Sequence, residues 1–316
     1  MTMPLPHELQ VVCMGLGGAV LLALLTVTVE SLVARRASGL RRRRGALLST
    51  ATLADCMKLL SKSPTAHGSR RAFAVAATLL PAVLLVGGLP VGSGLGGLSI
   101  TLPLTSRLLV LAGVLAVAPF ALLAYAATTT PVRRLPLSAV IVTLVGGHAV
   151  LLLCIAAVIL SGDVSADIAT RSLRDWPLWR HPAGGLAFLR ALTILSCCLR
   201  IAFGGTGPGR MAPGLADGPG ASTVLLYFSR PLLIGGASAL AVHLYLGTAP
   251  GPDGLIWACI AIWLVVVVVL QAAITEADAE GLSRRLWGRV MPLAAIDVVW
   301  SLLRGTGVLT WSGPWS

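Results

Sequence analysis

The residues best placed to do chemistry are ionisable side chains set in long apolar runs: Glu30, His148, Arg190, Arg200, Arg230 and Asp297. A charge in hydrocarbon is costly, so such residues are candidates for ion pairing, proton transfer or ligand contact. Asp297 is flanked by Ala294, Ile296 and Val298. Its short side chain cannot reach the interface, so it is either protonated or faces a partner, in this chain or in another subunit. His148 follows Gly146 and Gly147, and a histidine there either relays protons or hydrogen-bonds to a neighbouring helix. Arg190 and Arg200 are about 80° apart around a helix and about 15 Å apart along it, too far to share one carboxylate. Arg200 and Arg230 lie near segment ends, where a long side chain either snorkels to the interface or finds a partner. The acidic group Glu276, Asp278 and Glu280 either pairs with Arg284, Arg285 or an arginine of the first loop, or is solvated. Glu280 to Arg284 is the favourable order for a helical pair.

No phosphate-binding loop, nucleophile with its base, or pair of catalytic carboxylates is present, so the chain holds no self-contained active site. Of the cysteines, Cys13, Cys154, Cys197, Cys198 and Cys259 fall within apolar runs and Cys56 does not. Their spacing matches no zinc or iron–sulfur pattern, so free buried thiols and no metal are expected.

The elements that must carry these residues follow from composition. The chain has 316 residues, 56% hydrophobic and 11% charged, with mean hydropathy +0.88. Soluble domains carry about 25% charged residues, so the expected class is an all-α integral membrane protein. Eight apolar segments approach bilayer-spanning length, at 11–33, 73–91, 108–127, 137–160, 184–203, 223–246, 255–274 and 290–303. The last is short and has room to extend towards Trp311. None alternates in polarity, which excludes a membrane barrel and predicts one polytopic helical domain over 1–316.

The net charge of +12 is distributed unevenly. If the spans alternate, 17 basic residues fall on one side, including Arg35, Arg36, Arg41 to Arg44, Lys58 and Lys62, and five on the other. The positive-inside rule accounts for that excess and removes the case for nucleic acid. It puts both termini on the outer side.

Two connections have distinct character. Residues 204–222 are dominated by Gly and Pro and should form an irregular loop. Residues 46–63 lack both and place Leu47, Leu48, Ala51, Ala54, Met57, Leu59 and Leu60 mostly along one face, with Asp55, Lys58 and Lys62 elsewhere. This predicts an amphipathic helix lying on the membrane surface and ending before Pro64.

That helix, LADCMKLLSKSP, resembles the surface-helix motif of subunit 1 of the proton-pumping NADH:quinone oxidoreductase, respiratory complex I, matching at Ala54, Asp55, Met57, Lys58, Leu59, Lys62 and Pro64. VESLVARR, ending at Arg36, is similar to the motif that closes the family's first span, with Glu30 at the glutamate position. RLWGRVMPL, from Arg285 to Leu293, and YLGT, from Tyr245 to Thr248, resemble further family segments in the same order. The diagnostic acidic region departs: Arg200 and Phe203 match, but Cys197 stands at a family glutamate and Gly204 at its aspartate. In the fourth span Ser138 stands at the family arginine and Gly147 at its glutamate.

The resemblance implies a bundle of about eight spans at the heel of a membrane arm, helping to form a ubiquinone tunnel against the peripheral arm. Glu30, Arg35, Arg36, Asp55, Lys58, Arg200 and Phe203 would lie along the tunnel or its loop contacts. His148, Asp297, Glu276, Asp278 and Glu280 would be proton or ion-pair residues. Flavin and iron–sulfur clusters would belong to partner subunits. The implied membrane is the mitochondrial inner membrane, or alternatively a bacterial plasma membrane. Two rival readings are the homologous membrane subunit of a hydrogenase or formate hydrogenlyase complex, and a secondary transporter, which would show inverted repeats.

Overall fold

The structure is a computed structural model that describes residues 137–161, 177–203, 220–246, 253–274 and 279–306 together with parts of 17–32, 75–79 and 110–124. Regular structure is entirely helical among the described residues. In chain order the helices are α1 (Val20–Glu30), α2 (Ala112–Ala121), α3 (Leu137–Leu160), α4 (Pro177–Arg180), α5 (Pro182–Phe203), α6 (Gly220–Tyr245), α7 (Asp253–Ala273), α8 (Ala279–Arg285) and α9 (Met291–Gly305), with a π-helical turn at Leu286–Val290. Three helical stretches among the described residues are long and apolar enough to cross a membrane: Ser138–Leu160, Pro182–Leu199 and Glu280–Gly305. The chain is an all-α integral membrane protein.

The fourth expected span coincides with α3. The last one does not: α8, the π turn and α9 run continuously, so the helix extends upstream to Glu280; residues 307–316 lie outside the described residues. Arg284, Arg285 and Arg289 are therefore helical and exposed, not loop residues. Their charge made the stretch read as a connection, but only the first turns are polar, and an exposed helix end tolerates that. The π turn has a local cause. Pro292 has no N–H to give to the carbonyl four residues earlier, and the Met291 N–H bonds to the Leu286 carbonyl, five residues back. The Gly/Pro-rich stretch at 204–222 ends earlier than expected, because α6 starts at Gly220. The remainder of that stretch and the amphipathic segment at 46–63 lie outside the described residues.

Helices α3, α5 and α9 pack on one another, and α6 and α7 pack against α5 and each other. One buried cluster joins α3, α5 and the α8–α9 helix through residues such as Leu144, Leu151, Phe188, Leu195 and Val290. A second joins α1, α6 and α7 through Leu22, Leu232, Val242 and Leu264. In lipid, helices gain little from hiding apolar surface and associate through close packing. Gly146 and Gly147 show this: an added Cβ at Gly147 would lie 2.5 Å from Leu195 Cδ2, and one at Gly146 would lie 2.9 Å from the Trp287 ring. Gly147 therefore stands where α5 packs against α3. Most hydroxyls along the spans turn back on their own helix, as Thr143 to Ala139 O (2.7 Å), Thr193 to Leu189 O (2.8 Å) and Ser238 to Ile234 O (2.7 Å). That satisfies them without a partner helix.

Candidate functional site

Four ionisable residues singled out from sequence have fixed surroundings, at three separate places. Glu30, at the end of α1, pairs with Arg230 of α6, and both side chains are mostly buried. Arg230 thus has a partner within the chain and does not simply snorkel. His148 lies between α3 and α2, its Nδ1 2.6 Å from Leu144 O and its Nε2 3.0 Å from Leu115 O. Of its two expected roles, the geometry provides the hydrogen bond to a neighbouring helix; Phe120 packs on the ring at 5.5 Å. Neutral imidazole donates only one of these contacts.

Asp297 lies in a buried polar cluster that forms the most elaborate site among the described residues. Of the alternatives left open by the sequence, a partner within the chain is present: Oδ1 is 3.3 Å from Nδ1 of His181. His181 stands between α4 and α5. Its N–H donates to Pro177 O (2.8 Å) and its carbonyl accepts from Gly185 N–H (2.9 Å), so it closes one helix and opens the next. Pro182 follows at the first position of α5, where its missing N–H is no loss. The Nε2 of His181 is 3.0 Å from Ser161 Oγ, beyond the end of α3. Ser301, one turn after Asp297, donates to Asp297 O (2.7 Å) and its Oγ lies 3.5 Å from His181 Nδ1.

Gly184 allows this approach. A Cβ there would overlap the Asp297 carboxyl group and lie 3.3 Å from the Tyr245 hydroxyl. Tyr245, at the end of α6, is fully buried, with Phe188 edge-on at 6.0 Å and Trp263 stacked at 6.4 Å. Cys154 donates to Gly184 O at 3.5 Å. Asp297 Oδ2 is buried with no hydrogen-bond partner among the described residues, and the Tyr245 hydroxyl, also buried, has the Cys154 thiol beside it.

The other expected site residues are distributed as follows. Arg200 and Phe203 lie in the last turn of α5, about 28 Å along the helix from His181. Glu280 is exposed in the first turn of α8, and no ion pair links it to Arg284 or Arg285 among the described residues; the arginines of the first loop lie outside them. Arg35, Arg36, Asp55, Lys58, Glu276 and Asp278 lie outside the described residues. At the position of the family glutamate, Cys197 is a buried thiol pointing to Gln271 O at 3.7 Å, while Ser196 donates to Gln271 Oε1 at 2.8 Å.

Sequence reasoning missed His181, Ser161 and Tyr245. His181 falls in what reads as a polar connection, and only its position before Pro182, at a helix start, marks it.

No family model and no curated protein matches the sequence. Among solved structures, the chain is similar to a chain of the membrane-bound sulfane sulfur reductase, an archaeal respiratory membrane complex, with a TM-score of 0.63 and 15% identity over 92% of this chain and 99% of that one. At that identity the likeness establishes a shared fold.

Proposed function

We propose that the chain is a membrane-arm subunit of a multi-subunit respiratory oxidoreductase of the complex I type. The observation that carries this reading is the likeness, nearly end to end, to a chain of a respiratory membrane complex. The ordered segments VESLVARR, LADCMKLLSKSP, YLGT and RLWGRVMPL support it independently. The chain's partners are then the peripheral and membrane subunits of that assembly, which carry the flavin and iron–sulfur groups. Ubiquinone is the ligand shared with them. Asp55 and Lys58 on the surface helix, with Arg35, Arg36, Arg200 and Phe203, border its passage. Glu30, held by Arg230, fixes the end of the first span. The uneven basic residues put both termini on the intermembrane-space or periplasmic face, in the mitochondrial inner membrane or a bacterial plasma membrane.

A second reading is the equivalent subunit of a reductase or hydrogenase complex that uses this fold without holding quinone. It is favoured by Cys197 and Gly147, which put a thiol and a packing glycine where the quinone-linked family has carboxylates.

Mild-detergent purification tests the assembly. NADH dehydrogenase subunits should co-purify under the first reading and hydrogenase or sulfur reductase subunits under the second. Isolation as a lone chain sinks both and favours a transporter. Quinone reductase activity after Asp55→Ala or Arg200→Ala, with assembly checked separately, then tests the tunnel. Unchanged activity and inhibitor sensitivity remove those residues from it.

A further inference from the structure

The hydroxyl hydrogens around His181 leave one proton with two homes. Ser161 donates to Val158 O at 2.8 Å, so towards His181 its oxygen can only accept, and Nε2 carries a hydrogen. Ser301 donates to Asp297 O at 2.7 Å, so it cannot donate to Nδ1 either. The contact between Nδ1 and Asp297 Oδ1 then needs a single hydrogen, placed on the carboxyl group with a neutral ring or on the ring with a carboxylate. Both arrangements have the same total charge and the same heavy-atom geometry, so hydrocarbon does not forbid exchange between them.

We propose that His181 and Asp297 form a buried site for one transferable proton. In the transfer the Asp297 Oδ1–H bond breaks as the His181 Nδ1–H bond forms, the bonding electrons staying on the carboxylate and the ring becoming imidazolium. Ser161, half-buried after the end of α3, is the most exposed residue of the cluster. On the other side, the buried Tyr245 hydroxyl, which has the Cys154 thiol beside it, and Asp297 Oδ2, which has no partner among the described residues, converge on Gly184. A rotation of the carboxyl group that brought the two together would stabilise the carboxylate after transfer. Among the described residues, the groups facing the pair include Ser161 and Cys154 on the α3 side, Tyr245 of α6 with Trp263 of α7 stacked behind it, and Ser301 of α9. Arg180 adjoins His181 in the chain.

The site does not depend on which assembly the chain joins, so it is tested on the purified full chain by infrared spectroscopy with carboxyl-labelled aspartate. A carboxylic-acid band that shifts with the label and on exchange into heavy water is expected, lost in Asp297→Asn and changed in frequency or intensity in His181→Gln. If a variant fails to fold, the labelled wild-type spectrum still decides. Only carboxylate bands, an acid band that does not exchange with deuterium, or an acid band unaffected by a folded Asp297→Asn overturns the proposal. Failure here leaves co-purification of partner subunits untouched, and a chain that purifies alone leaves this band untouched.

Discussion

The approach of Asp297 to α5 depends on the side chain that Gly184 lacks. Gly184→Ala should force the carboxyl group away from His181 and cost about 1–3 kcal/mol, as overpacking does. Thermal unfolding in detergent measures this, and the acid band of Asp297 should shift with it. The second test at this scale is the pair of Glu30 and Arg230, whose side chains remain 19% and 18% exposed. Removing one charge by Glu30→Gln leaves Arg230 partly desolvated, and about 1–3 kcal/mol of stability should be lost, between the values for exposed and buried pairs. The exchange Glu30→Arg with Arg230→Glu should recover part of that loss in a double-mutant cycle. Sequence made Glu30, Arg230 and Asp297 visible because charge is rare in apolar runs. It hid His181, because a histidine in a polar connection looks unremarkable until the fold brings α9 beside it.

At the scale of the helix, Gly147 and Leu195 are the contact through which α3 and α5 approach closely. Gly147→Ala should destabilise by about 1–2 kcal/mol because the new Cβ meets Leu195 Cδ2. Leu195→Ala alone should cost about 2–4 kcal/mol through the cavity it leaves. The double variant should cost less than the sum of the two, read by the same unfolding measurement. This contact also gives a physical reason for glycine at a position where the resembling family has a carboxylate: the space is occupied by a neighbouring helix. Span positions were legible from apolar length alone, and α3 begins and ends where its composition changes. The last span was placed too short at its upstream end because its first turns carry Glu280, Arg284, Arg285 and Arg289, while the helix runs on through a π turn before Pro292.

For the whole molecule, the basic asymmetry predicts sidedness. Single cysteines introduced at Arg42 and at Gly251, in a background lacking the native cysteines, should be labelled by an impermeant reagent from opposite faces of sealed vesicles. Labelling from one face would contradict alternation of the spans. The sequence by itself determined the solvent: 56% hydrophobic residues and long unbroken apolar runs admit only helices crossing a bilayer, because lipid offers the backbone no other hydrogen-bond partners. It also determined which residues carry an uncommon electrostatic burden. Tertiary structure alone decided how that burden is met, because partners 200 residues apart for Glu30 and Arg230, and 116 apart for His181 and Asp297, are set by which helices pack together. No spacing along the chain encodes such contacts; they arise where small residues such as Gly184 let two helices approach.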